Sequence, residues 1–193
     1  MTASPPSPLP SGDPPACAAV ERSSWWRRLI RRRMPWRLWA PLAMLSLLPF
    51  GYAYARYQVG IDPQVHRCLP GFHGLAVIDT WDRTVERGHL YAFESRGLAP
   101  IWPDGQTVVK FLVGVPGDRV VVGTDSTTVN GRTVGEGLLV AATLHVAPER
   151  FARSLVLEPE HYWAMGRTED SLDSRYWGTI AAEQVLGRAY LVW

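Results

Sequence analysis

The stretch Thr107–Val134, TVVKFLVGVPGDRVVVGTDSTTVNGRTV, decides the fold. It opens with Val108-Val109-Lys110-Phe111-Leu112-Val113, an apolar run of strand length broken by one charge. Pro116-Gly117-Asp118 marks a turn. Asn130-Gly131, set between Thr127-Thr128-Val129 and Arg132-Thr133-Val134, is a type I′ hairpin signal, because that turn needs positive φ at both central residues. Strand, turn, strand and hairpin in close succession predict an antiparallel sheet.

Lys110 is the only lysine, and the other nineteen of the twenty basic residues are arginine. A solvated charge can be either type, so a solitary lysine in an apolar run points to work that arginine cannot do. Guanidinium stays charged, whereas a desolvated ammonium can lose its proton near neutral pH. A cation in such a strand is costly unless paired or neutral. Two readings stand: a general base, or an edge-strand lysine that snorkels its amine to water.

The net charge of +2 hides an asymmetry. Residues 1–37 carry seven arginines against Asp13 and Glu21, whereas residues 38–193 carry thirteen basic and sixteen acidic residues. The basic residues form a compact cluster and not a stripe over a folded surface, which argues against a nucleic-acid partner. Two cysteines, Cys17 and Cys68, are too few for a disulfide framework. Without paired CxxC motifs or HExxH, no metal site or cofactor is expected.

Residues 1–24 are rich in Pro, Ser and Ala and read as a disordered cytoplasmic tail. Residues 25–56 read as a basic segment and transmembrane anchor. Leu38–Ala55 holds eighteen residues without a formal charge, about the minimum for a helix that spans the lipid bilayer. Pro41 and Pro49 are tolerable in such a helix. The preceding arginines put the N-terminus in the cytoplasm by the positive-inside rule. Ala53-Tyr54-Ala55 also resembles a signal-peptide cleavage site, the rival to an uncleaved anchor.

Residues 57–193 read as an exported, mostly β domain. Predicted strands are Leu75–Ile78, His89–Glu94, Thr107–Val113, Arg119–Val122, Thr127–Val129, His161–Met165 and Gly187–Trp193, with one short helical turn in Ala181–Leu186.

Three segments now align. Arg67-Cys68-Leu69-Pro70-Gly71 follows the anchor. Lys110 precedes Gly114-Val115-Pro116-Gly117-Asp118 and Asn130-Gly131. Ser171-Leu172-Asp173-Ser174-Arg175-Tyr176-Trp177-Gly178 comes last. With the glycine-led strand Arg87–Phe93 between the first two, their order and spacing resemble the signal peptidase I superfamily, most closely its TraF-type conjugal-transfer branch, the pilin-maturation peptidases.

The resemblance implies a signal-peptidase-like antiparallel β domain after one transmembrane helix, in the bacterial inner membrane with that domain in the periplasm. It implies an endopeptidase acting on a membrane-inserted, pilin-like precursor, which it cleaves or cyclises. Cys68 falls where relatives carry serine, and Lys110 would be the base. The Ser171 hydroxyl would aim the Lys110 amine, and Asp173 with Arg175 would form a structural ion pair. A thiol is easier to deprotonate than a hydroxyl, so a Cys-Lys pair is chemically reasonable. His66 shares a face with Cys68 in an extended segment, so a Cys-His pair is a rival. Further alternatives are a buried core cysteine, a polar turn at Ser171–Arg175, and an inactive peptidase-fold subunit serving pilus or secretion-apparatus assembly.

The arginine cluster before the uncharged segment predicts topology. A reporter fused after Trp193 is expected to be active only outside the cytoplasm, with the protein retained in membranes after alkaline washing. A soluble product beginning at Arg56 would show processing after Ala55 instead.

Overall fold

The computed structural model describes residues 36–61, 68–69, 74–101 and 103–192. The predicted tail and basic segment up to residue 35, together with His66, Arg67, Pro70, Gly71 and Trp193, lie outside the described residues. The chain divides between Leu47 and Leu48, and Leu48–Trp193 forms one compact unit.

Helix α1 (Trp36–Arg56) contains the predicted span, Pro41 and Pro49 included. Its side chains from Trp39 to Ala55 are all exposed. Among the described residues no helix is long and apolar enough to cross a membrane. β1 (Tyr57–Ile61) follows α1 directly, and then come β2 (Leu75–Asp79), β3 (His89–Glu94), β4 (Thr107–Gly114), β5 (Arg119–Val122), β6 (Ser126–Val129) and β7 (Arg132–Glu136). A one-turn helix α2 (Val140–Thr143) leads to β8 (Arg153–Val156) and β9 (His161–Met165). Helix α3 (Ser174–Trp177), β10 (Ile180–Ala181) and β11 (Val185–Val192) complete the chain.

The strands make two antiparallel sheets, a seven-stranded one in the order β1-β2-β11-β3-β4-β9-β10 and a four-stranded one in the order β7-β6-β5-β8. β4 therefore runs between β3 and β9, which rules out the edge-strand reading of Lys110. β1, β8 and β10 were not among the predicted strands, and β7 was implied only as the far arm of the Asn130-Gly131 hairpin. The predicted helical turn shrinks to a 3-10 turn at Ala182–Gln184, after which the chain is already extended. The hairpin at Asn130-Gly131 has φ of 51° and 79°, the positive pair that a type I′ turn requires.

One core cluster packs the small sheet against β9 and α3 through Val120, Val122, Phe151, Trp163, Met165 and Tyr176. A second lies on the large sheet around Tyr91, Phe93, Val108, Leu112 and Ala164. Along β4 burial alternates, so Val108, Lys110 and Leu112 point to one buried face. Asp118 fixes the turn that follows. It accepts hydrogen bonds from the Val115 N–H (2.8 Å), Asn130 Nδ2 (2.8 Å) and Arg87 Nη2 (2.8 Å). Asn130 Oδ1 in turn accepts from the Arg119 N–H at 2.9 Å, joining hairpin to turn.

Burial alone would raise the Asp118 carboxyl, but the Arg87 guanidinium and the hydrogen bonds from Val115 and Asn130 outweigh it and hold the group below its ordinary value. A depressed carboxylate contributes stability that is complete above the unfolded value and is lost as pH falls through the folded one. Asp118→Asn should cost about 1–3 kcal/mol near neutral pH by urea unfolding. The gap from wild type should narrow below about pH 4, and a gap that widens in acid would refute this account.

Candidate active site

β4 delivers Lys110 to the interior, where it is 4 % exposed. Its register partner on β3 is Tyr91, and its neighbour Phe111 pairs with Met165 of β9. Lys110 Nζ donates a hydrogen bond to Ser171 Oγ at 3.0 Å, and Ser171 is wholly buried. Among the described residues Lys110 makes no ion pair. A buried amine whose partner is a neutral hydroxyl is free for proton transfer in a way that an ion-paired one is not.

Ser171 is placed by the charge pair beside it. Arg175 and Asp173 are both buried, with Arg175 Nε 2.9 Å from Asp173 Oδ1 and Nη2 3.0 Å from Oδ2. The remaining Arg175 N–H groups donate to the carbonyls of Ser171 (3.1 Å), Glu136 (2.9 Å) and Gly137 (3.0 Å). Burial by itself would lower the Arg175 pKa. The hydrogen bonds and charge of Asp173 more than offset that and hold the guanidinium above its ordinary value. Asp173 also caps α3 by accepting from the Arg175 N–H, and it receives the Gly166 N–H at 3.1 Å.

Cys68 is a free thiol, partly exposed, and its carbonyl accepts the Arg167 N–H at 2.9 Å. Gly166 brings Cys68 and Ser171 to one place. A Cβ at Gly166 would stand 2.0 Å from Ser171 Oγ and 3.2 Å from the Cys68 carbonyl oxygen, so only glycine admits this approach. A negative charge at Cys68 would also be felt by Arg175. Five of the residues singled out in the sequence thus form one neighbourhood, while His66 lies outside the described residues.

Sequence reasoning passed over three supports. Gly166 is one. Ser174 Oγ accepts the Ala164 N–H at 2.9 Å and ties α3 to β9. Arg153 Nη2 donates to the Ser174 and Arg175 carbonyls at 2.7 and 3.1 Å, with its guanidinium over Trp163. A glycine between a strand and a polar box was the one available signal. Among the described residues no three His, Cys, Asp or Glu side chains group closely enough to share a metal ion.

The chain belongs to the family described as "Signal peptidase, peptidase S26", whose model matches residues 38–193. It is similar to "Probable signal peptidase I-2" of Synechocystis sp., with 30% identity over 111 residues, 56% of this chain and 48% of that protein. The match therefore spans about half the length of this curated relative. A crystal structure of a signal peptidase I from Enterococcus faecalis V583 aligns at 26% identity and a TM-score of 0.36, covering 55% of this chain and 97% of that one.

The geometry grades two substitutions. Asp173→Ala strands a buried guanidinium and should cost about 3–5 kcal/mol. Ser171→Ala removes one buried partner of Lys110 and should cost about 1–3 kcal/mol. Chemical denaturation of both variants checks this, and the reverse order would overturn the structural roles given to the two residues.

Proposed function

We propose that this chain is a membrane-anchored endopeptidase of the signal peptidase type that works through Cys68 and Lys110. The observation that carries the reading is the buried Lys110–Ser171 hydrogen bond, with no carboxylate paired to the amine among the described residues. In this reading Ser171 aims Nζ at the Cys68 thiol. The sulfur attacks the scissile carbonyl while its proton passes to Lys110. The Cys68 N–H donates to the oxyanion. As the tetrahedral intermediate collapses, Lys110 returns the proton to the departing amine nitrogen. The thioester left on Cys68 is then released by water, or by an amine of the same substrate, which would close it into a circle.

The substrate in this reading is a membrane-inserted, pilin-like precursor of a conjugative transfer system. Support comes from the three segments around Cys68, Lys110 and Ser171. The membrane assignment is supported by the arginines before Leu38 and by the exposed apolar side chains of α1, among them Leu45, Leu48 and Phe50. The N-terminus is cytoplasmic and the β unit periplasmic.

The test is conversion of a tagged pilin precursor in cells expressing each variant, with folding checked by protease resistance. Lys110→Arg keeps the charge but cannot take the proton, so processing should be abolished. Cys68→Ala should be inactive, and Cys68→Ser should keep partial activity. Full processing by Cys68→Ala would sink the nucleophile, and full processing by Lys110→Arg would sink the base. Loss in His66→Ala with Lys110→Arg active would move the chemistry to a Cys-His pair.

A further inference from the structure

The end of α1 is tied to the strands by more than the continuity of the chain. Residues 48–56, its last turns, belong to the same compact unit as the β strands, and β1 starts at Tyr57 with no linker. Tyr57 lies opposite Asp79, the last residue of β2. The Asp79 carboxylate is buried, with both oxygens 2.9 Å from Arg56 Nε and Oδ2 also accepting from Nη2. Oδ1 accepts the Trp81 N–H at 3.1 Å. The hydrogen bonds from Arg56 have the largest effect on this carboxyl and hold it below its ordinary value despite burial.

Arg56 is fixed on its other sides too. Nη1 donates to the Tyr52 hydroxyl one turn back on α1. The guanidinium lies 5.8, 5.3 and 5.8 Å from the ring centroids of Tyr52, Tyr57 and Trp81, and the Tyr52 and Trp81 rings meet edge to face. The Arg56 carbonyl accepts from the Thr80 N–H at 2.9 Å and from Thr80 Oγ1 at 2.8 Å. Asp79 cannot shift to relax these bonds. β2 lies between β1 and β11, and a Cβ at Gly187 of β11 would stand 2.1 Å from the Asp79 carbonyl oxygen. A helix that merely led into the domain would need no buried carboxylate to meet it, and without Arg56 that charge would stand buried and unpaired.

We propose that Arg56 and Asp79 are positioning residues that lock the end of the anchor to the sheet. Cys68 and Lys110 then stand at one height above the bilayer and accept precursors whose scissile bond lies at the matching distance from their own membrane segment. The proposal rests on the membrane-anchored peptidase reading. Exposed Tyr54 and Trp81 beside the joint suit the membrane–water boundary. A flexible tether would spread the reaction centre over many heights, whereas a locked joint gives one.

Two measurements test this. The first places spin labels at Leu48→Cys and Val121→Cys, both exposed, in the full-length protein in lipid nanodiscs with Cys17→Ala and Cys68→Ala. The distance distribution should be a single narrow peak. Asp79→Asn, and separately Arg56→Gln, should lose that peak, while labels at Val121→Cys and Glu183→Cys, both within the β unit, keep theirs. An unchanged distribution between 48 and 121 overturns the joint. Loss of the second peak overturns it as well, since Asp79 would then hold the sheet itself. The second measurement follows the tagged precursor in cells, with residues inserted between its membrane segment and the bond that is cut. Each insertion moves that bond by up to about 3.5 Å, and a misplacement of about 1 Å can cost about a hundredfold. Two inserted residues should therefore lower processing by wild type at least about tenfold. In Asp79→Asn, with Cys68 intact, the ratio of extended to original precursor processed should approach one. An equal fall in both proteins overturns the positioning role. If wild type cuts no precursor while the label distances respond as expected, the peptidase reading falls and the joint stands.

Discussion

The site depends on the buried Asp173–Arg175 pair. A guanidinium that is 1 % exposed must have its donors met, or it costs several kcal/mol. Arg175 meets them by gathering three pieces of chain: its own box at Ser171 and Asp173, the carbonyls of Glu136 and Gly137 at the end of β7, and, through Asp173, the N–H of Gly166 after β9. Arg153 braces the same box from β8 through the carbonyls of Ser174 and Arg175. Ser171 is consequently held by electrostatics and backbone geometry that do not involve its hydroxyl. That leaves Oγ free to accept from Lys110.

The other half of the site is a matter of register. Lys110 and Ser171 are 61 residues apart, and their meeting requires β4 to present Lys110 inward. A slip of one residue would turn Phe111 in and Lys110 out. Two features pin the strand. Pairing with β3 and β9 is fixed on both sides, with a bulge between Leu112 and Gly114. At Gly114 a Cβ would meet the Trp163 Cβ at 2.8 Å and Leu157 Cδ1 at 2.9 Å, so the end of β4 packs directly on β9. The Asp118 turn then sends the chain into the small sheet.

Much of this was legible in the sequence because period-two alternation and turn chemistry are local. The β3, β4, β5 and β9 segments, the Asn130-Gly131 turn and the Pro116–Asp118 turn all announce themselves within a few residues. β8, as short as β5, did not, because its pairing partner is distant in sequence. The position of β4 inside the sheet was equally hidden, since edge and centre have the same alternation. The box at Ser171–Arg175 could be spotted by resemblance, but a polar turn and a buried ion pair look alike until burial is known. Gly166 and Glu136 acquire meaning only from what the fold brings beside them.

In the proposed mechanism a thiol at position 68 changes what Lys110 has to do. A hydroxyl nucleophile needs a base for the attack, whereas a thiol yields its proton more easily. The attack is then the easier half of the reaction. The tetrahedral intermediate can expel either the sulfur or the amine nitrogen, and sulfur is the better leaving group. Forward collapse requires a proton on the nitrogen at that moment. In the proposed mechanism that proton is the one Lys110 has just taken, so its most demanding task is the return. Returning a proton to the leaving nitrogen calls for an amine held in one place, and this is what the buried strand position and the bond to Ser171 provide. In that mechanism the buried pair of Asp173 and Arg175, by holding Ser171, still serves the reaction with cysteine as the nucleophile, even though the acidity to be overcome is smaller.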